Sequence, residues 1–370
     1  MSTESEQGTI RISILSQTLK TAKGALSLLV ISVNTIVLAT LLFILAIVKF
    51  LAPTDSSRNA MRHVLTALAE AWISVNNSLF SLYRRPAWDI RIPGKLDRKG
   101  TYLVSCNHQS WVDILVMQYC FNRRLPFFRF FIKSQLIWVP FLGVAWWALD
   151  MPFMRRHSRE KLARQPSLKG RDLDNARKAC EKLRTIPVAM TNFPEGTRFS
   201  AAKRDRQKSP YRHLVQPRIG GLGQVLYALG DQLDALIDVT IVYPHTRTGG
   251  RAPTFWQLLT GEIPDIIVRA ECREIPPGLL GRNFRTDPAF RSGLEAWVNG
   301  LWREKDELIA ETLRTWNRSE NAQDQGDPHP EQQDADQGLN AGHRDLVQKP
   351  FSDQHSAKSR QRARNHQRPG

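Results

Sequence analysis

Ala25 to Val48 is one continuous apolar run, interrupted only by Ser, Thr and a single Asn34. As a helix it extends about 36 Å, against about 30 Å for the hydrocarbon core of a bilayer. The run is too long, and starts too far into the chain, for a typical cleaved leader. The expectation is a transmembrane helix over 25–51, preceded by an N-terminal segment 1–24. Lys20 and Lys23 flank one end, and Lys49, Arg58 and Arg62 the other. Cations at both ends give no clear orientation under the positive-inside rule. A second segment, 60–83, carries Met61, Leu65, Leu68, Trp72, Ile73, Leu79 and Phe80. It is expected to lie against the membrane or pack on the first helix, so that the two form a paired anchor entering from one side.

The charge balance suits the same partner. The 370 residues carry a formal net charge of +17. Such an excess favours an anionic surface, lipid or nucleic acid. The cations are spread through 155–184, 198–218 and 282–291, and no zinc-finger or RNP-type signature accompanies them. With an apolar segment in the same chain, membrane lipid explains the charge and no nucleic-acid partner is expected. The 4 cysteines form no C-x-x-C pair, so neither a disulfide framework nor a zinc site is indicated.

Beyond the apolar segments, strand-like and helix-like stretches alternate. Strands are expected at Trp88–Ile92, Thr101–Cys106, Pro187–Asn192, Val239–Val242 and Ile266–Ala270. Helices are expected from the Ser110 region to Tyr119, at 172–184, at Leu222–Leu236 and from Pro288 to about Trp316. Alternation of this kind implies an α/β domain, here 84–317. The aromatic-rich stretch 126–153 reads either as a buried core helix with its loop, or as an acyl-chain tunnel or membrane-dipping edge. From 318 to 370 the chain lacks apolar periodicity and is expected to be a disordered tail.

Two peptides carry the chemistry. Asn107-His108-Gln109-Ser110-Trp111-Val112-Asp113 places a His and an Asp with four residues between them. A His acting as general base needs an acceptor for its second ring nitrogen, and Asp113 supplies one. Ser110-x-x-Asp113 also reads as a capping box opening the next helix. Phe193-Pro194-Glu195-Gly196-Thr197-Arg198 puts a carboxylate, a glycine and an arginine in one turn. A guanidinium fork beside a glycine turn suits an oxyanion. Cys106, next to the first peptide, is either a nucleophile or a small buried residue at a strand end.

In this order, after an apolar segment, the two peptides resemble the hallmarks of the glycerophospholipid acyltransferases, including the enzymes that make phosphatidic acid from lysophosphatidic acid. His108 and Asp113 match the family's His-x4-Asp box, and Phe193 to Arg198 match its second hallmark at every position. Phe153-Met154-Arg155-Arg156 resembles the arginine-bearing block between them, with Arg156 as the match. Val239 to Pro244 resembles a late strand ending in proline. Gln216-Pro217-Arg218 resembles a Lys-Pro-Arg element, with Gln216 in place of the lysine. The spacing of Trp146 to Arg159 resembles a bacterial inner-membrane branch.

The resemblance implies a glycerol-3-phosphate acyltransferase-like α/β fold, a mixed sheet flanked by helices, and transfer of a fatty acyl group to the sn-2 hydroxyl of lysophosphatidic acid. The donor would be acyl-CoA or acyl carrier protein. It implies His108 as base and Asp113 as its partner. Glu195, Gly196, Thr197 and Arg198 would bind substrate, with Arg156 and Arg218 as further phosphate contacts. No metal or redox cofactor is required. The implied location is a bacterial inner membrane, catalytic domain on the cytoplasmic side. Another lysophospholipid or a non-phosphate lipid as acceptor, and a catalytically silent membrane-anchored lipid-binding protein, are the alternatives.

Overall fold

The computed structural model describes residues 2–83, 88–139, 142–154, 168–181, 183–247, 252–263 and 265–324. Two long helices come first, α1 (Ser2–Leu51) and α2 (Asp55–Tyr83). They pair antiparallel. Asn34 Nδ2 donates to the Trp72 carbonyl at 3.1 Å and to Asn76 Oδ1 at 2.9 Å, while Trp72 Nε1 donates to Thr35 Oγ1 at 3.1 Å. The single Asn of the apolar run, with Thr35 beside it, therefore joins the helix pair.

The α/β part follows. Its elements are β1 (Trp88–Arg91), β2 (Thr101–Cys106), α3 (Val112–Phe121), β3 (Phe128–Arg129), β4 (Ile132–Lys133), α4 (Leu142–Ala148) and β5 (Phe153–Met154). Then come α5 (Leu168–Glu181), β6 (Val188–Asn192), α6 (Ala201–Arg206), α7 (Ile219–Leu229) and β7 (Ala235–Val242). The series ends with α8 (Pro244–Arg247), α9 (Phe255–Thr260), β8 (Ile266–Arg273) and α10 (Pro288–Asp324). Six strands form one sheet in the order β1-β8-β7-β2-β6-β3. The β7–β8 pair is antiparallel and the other pairs are parallel, so the sheet is mixed, as expected. Every residue of β2 and β7 is buried, as in central strands covered on both faces.

The topology fixes where chemistry can occur. Strand β2 lies between β6 and β7, parallel to both. The loops leaving the C-terminal ends of these three strands meet, and in parallel sheets that edge is where ligands bind. The first hallmark follows β2, the second follows β6, and Tyr243 follows β7.

Three expectations are corrected. The helix expected over Leu222–Leu236 ends at Leu229. Gly230 has φ +48, a left-handed conformation that glycine takes at low cost and that stops a helix. Ala235 and Leu236 then belong to β7, paired with Tyr102 and Leu103. The last helix runs to Asp324 rather than about Trp316, so 318–324 is helical where a disordered tail was expected. The rest of that tail, 325–370, lies outside the described residues. The stretch 126–153 is not one core helix: it is broken into β3, β4, a 3-10 turn (Ser134–Trp138), α4 and β5, and Trp138 is 86% exposed.

The chain divides into two compact units, Met1–Glu311 and Thr312–Gly370. Both N-terminal helices therefore belong to the same unit as the sheet. Ser27 Oγ donates to the Leu259 carbonyl of α9 at 3.1 Å, and Ile31 packs on the main core. Further along, Leu42 and Ala46 pack with Leu65, Ala148 and Leu149. Lys49 Nζ donates to the Ala148 carbonyl at 2.9 Å. Helix α1 touches the α/β part near both ends of its apolar run.

Candidate active site

Strand β2 ends at Cys106, and the chain turns through Asn107 to Ser110 before α3. The buried Asn107 amide locks this turn to β7: Nδ2 donates to the Ile241 carbonyl at 2.9 Å, and Oδ1 accepts from Ile241 N at 2.8 Å. His108 Nδ1 lies 2.8 Å from Asp113 Oδ2. The same oxygen accepts the backbone N–H groups of Gln109 at 2.6 Å and Ser110 at 2.9 Å. Tyr243 Oη donates to Asp113 Oδ1 at 2.8 Å. Asp113, fully buried, thus both holds the imidazole and fixes the loop that presents it. Its bonds to Gln109 and Ser110 are the local loop-holding part of the capping reading. The helix-opening Val112 N–H instead donates to Ser110 Oγ at 3.1 Å, and Trp111 occupies the N-cap without a side-chain bond.

The second hallmark grips the first by its backbone. Glu195 Oε1 accepts from His108 N at 2.8 Å, and Phe199 N donates to the His108 carbonyl at 2.7 Å. Glu195 Oε2 accepts from Val215 N at 2.9 Å. Expected among the substrate contacts, Glu195 is fully buried with both oxygens on backbone N–H groups, so its geometry is that of a strut between three loops. Phe193 stacks on the His108 ring, centroids 4.3 Å apart. Beyond Glu195 the turn opens to solvent. Gly196 has φ +65, and a Cβ there would sit 3.5 Å from Arg218 Cδ. The position therefore needs glycine for its conformation, and Arg218 lies against it.

Arg198 and Arg218 are both exposed. The Arg198 guanidinium carbon lies 5.4 Å from the centroid of the Trp111 ring. Lys203 Nζ donates to Thr197 Oγ1 and to the Arg198 carbonyl, each at 2.8 Å. The structure so brings His108, Asp113, Glu195, Gly196, Thr197, Arg198 and Arg218 to one edge of the sheet. Arg156 lies outside the described residues. Sequence reasoning gave no role to Tyr243, Lys203 or Trp111. Tyr243 was readable only as part of the late-strand block, since nothing local ties it to a residue 130 positions away. Lys203 follows the hallmark within one helical turn of Ser200, the N-cap of α6, and that proximity was a usable signal.

Two thiol and phenol groups border the site. Burial, and then the Asp113 carboxylate, push the Tyr243 phenol well above its usual range, which keeps it a donor. The same two causes push the Cys106 thiol up. A fully buried thiol held protonated is no nucleophile, so Cys106 is the small buried residue of the two readings.

An imidazole held by a buried carboxylate, beside exposed arginines at a parallel sheet edge, is an arrangement that can accept a proton next to an anionic group. Residues 89–242 match the family model described as Acyltransferase. An uncharacterized acyltransferase of Saccharomyces cerevisiae is 28% identical over 256 residues, covering 60% of this chain and 62% of the yeast protein. The 1-acyl-sn-glycerol-3-phosphate acyltransferase epsilon of Mus musculus is 23% identical, over 70% of this chain and 74% of the mouse protein. Among solved structures, the 1-acyl-sn-glycerophosphate acyltransferase of Thermotoga maritima aligns with 16% identity and a TM-score of 0.40, covering 74% of this chain and 95% of that one. The chain carries an acyltransferase domain. Over these stretches it is similar to glycerophospholipid acyltransferases. It spans 62% of the length of the yeast relative.

Proposed function

We propose that the protein transfers a fatty acyl group from a thioester donor, acyl-CoA or acyl carrier protein, to the free hydroxyl of a lysophospholipid, with the sn-2 hydroxyl of lysophosphatidic acid as the favoured acceptor. The observation that carries this reading is the His108–Asp113 pair, whose imidazole and carboxylate lie 2.8 Å apart at the meeting point of both hallmark loops. With Nδ1 committed to Asp113, Nε2 is the nitrogen that takes the hydroxyl proton. The acceptor oxygen attacks the thioester carbonyl, the C–S bond breaks, and the imidazolium returns the proton to the leaving thiolate. Asp113 stabilises the imidazolium in between, as the carboxylate does in a Ser-His-Asp triad. No enzyme nucleophile is needed, because the acceptor hydroxyl fills that role.

Arg198 and Arg218 flank the Gly196 turn and supply forked donors for the acceptor's phosphate. Thr197 is held by Lys203 rather than left to the solvent, and Glu195 positions His108 instead of touching substrate. The test is product analysis by mass for purified protein given oleoyl-CoA and a panel of lysophospholipids. Transfer to lysophosphatidic acid that disappears in His108→Ala supports the reading. Transfer that persists in His108→Ala removes the proposed base.

The same reading places the protein on a membrane, but with α1 lying along one leaflet rather than crossing. The segment Leu15–Leu51 is long and apolar enough to cross. Its contacts argue otherwise: Ser27 and Lys49 both bind the α/β part, and 22 residues of helix between them extend about 33 Å. A helix tied to one domain near both ends runs parallel to that domain's surface. Leu29, Ile36, Phe43 and Phe50 then face the acyl chains. A bacterial inner membrane rests on the Trp146–Arg159 spacing alone, and 155–159 lie outside the described residues.

A further inference from the structure

A cavity of about 880 Å³ lies where the C-terminal end of α1 meets the start of α2, α4 and α5. None of the two hallmark peptides' residues lines it. Its walls carry the cations Lys49, Arg58, Arg62 and Lys178, and the aromatic rings of Phe50 and Trp147. Two carboxylates, Asp55 and Asp150, oppose the four cations.

The distribution of these charges is uneven. Asp150 is held at φ +55, its side chain is 7% exposed, and it is shared: Lys49 Nζ lies 2.9 Å and Arg62 Nε 2.8 Å from its Oδ2. Behind it the buried Arg129 donates to the Leu149 carbonyl at 3.1 Å. One carboxylate thus serves two cations, with a third close by. Asp55 is fully exposed and only 3.6 Å from Arg58, a weak surface pair. Arg58 and Lys178 are exposed and lie outside the Asp150 cluster, so the cavity presents positive charge that an anion from solvent or membrane can meet. The apolar side of the cavity is equally specific. Phe50 and Trp147 have ring centroids 6.3 Å apart, and Phe50 is 70% exposed at the end of the apolar helix.

We propose that this cavity binds the headgroup of an anionic phospholipid, its phosphodiester among Arg58, Arg62 and Lys178 and its acyl chains against Phe50 and Trp147. The cavity shares no residue with the two hallmark peptides, so the proposal does not depend on the reading given to them. It ties the junction of both N-terminal helices to an anionic leaflet.

The experiment is a calorimetric titration of the full-length protein in nonionic micelles with dihexanoyl-phosphatidylglycerol, dihexanoyl-phosphatidylcholine and inorganic phosphate. The variant is Arg58→Gln/Lys178→Gln, both exposed and outside the Asp150 cluster. The control, Lys95→Gln/Lys99→Gln, removes the same charge elsewhere. Losing two charge-assisted contacts should weaken phosphatidylglycerol binding by about tenfold or more in the variant, and not in the control. Phosphatidylcholine and inorganic phosphate should bind much more weakly than phosphatidylglycerol. His108→Ala should bind phosphatidylglycerol like wild type whether or not it transfers acyl groups, which separates this site from the catalytic one. Equal binding by the variant and wild type overturns the proposal. So does equal affinity for phosphatidylcholine, equal affinity for inorganic phosphate, or displacement of the lipid by coenzyme A, which would assign the cavity to the acyl donor.

Discussion

Asp113 accepts four hydrogen bonds, and removing their donors and acceptor one at a time separates chemistry from scaffolding. His108→Ala removes the proposed base and should lower the rate by about 10²–10⁴ while the protein stays folded. Single-turnover transfer together with thermal unfolding measures both. Tyr243→Phe deletes one bond to Asp113 and leaves a buried carboxylate oxygen short of a donor, a loss of about 1.5–3 kcal/mol for a bond to a charged group. Transfer should fall with little change in KM for the lysolipid, because Tyr243 is buried against Asp113. A raised KM with normal kcat would mean that the phenol contacts the acceptor. Glu195→Gln offers one acceptor where two backbone N–H groups need one each, so activity and Tm should fall together. A KM effect with unchanged Tm would return Glu195 to the substrate contacts expected from the sequence. The sequence made His108, Asp113 and the 193–198 turn legible because both peptides are local. Glu195's true partners were hidden, since His108 and Val215 are brought to it only by the sheet.

At the scale of elements, strands were the more legible part. β2 and β6 stand between turns and carry dense apolar side chains, so their positions could be read from the sequence. The Leu222–Leu236 stretch misled because an apolar helix and an apolar buried strand follow each other with only Gly230-Asp231-Gln232-Leu233-Asp234 between. Periodicity alone does not divide two buried apolar segments. Only the left-handed backbone of Gly230 does. For helix α1 the sequence was legible in part. Length and hydropathy describe a helix that can cross a membrane, but they do not register Ser27 bound to α9 or Ala46 packed beside Ala148. Removal of residues 1–52 should therefore do more than release an anchor. It strips cover from α2, α4 and α9, and should lower the Tm of the remaining chain and make it aggregate without detergent. Differential scanning fluorimetry and size-exclusion chromatography of the truncated protein check this. An unchanged Tm would show that the helix is separable after all.

For the whole molecule, the question is which side of the membrane each end of α1 faces. If the apolar run crosses the bilayer, positions before and after it lie in different compartments. If it lies along one leaflet, both ends share the compartment of the α/β part, as the bonds of Ser27 to Leu259 and of Lys49 to Ala148 and Asp150 require. Labelling of single cysteines decides this. Cys106, Cys120 and Cys180 are buried, so replacing Cys272 by serine gives a nearly silent background. Ser16→Cys and Ser57→Cys then report the two ends, on either side of the apolar run. In sealed vesicles, a membrane-impermeant maleimide should reach both positions from the same side and neither from the other. Labelling from opposite sides would establish a crossing helix. It would also require the Ser27 and Lys49 contacts to break in the membrane, because a segment that crosses about 30 Å of hydrocarbon cannot keep both ends on one soluble surface. Same-side labelling would set both ends of α1 and the α/β part in one compartment.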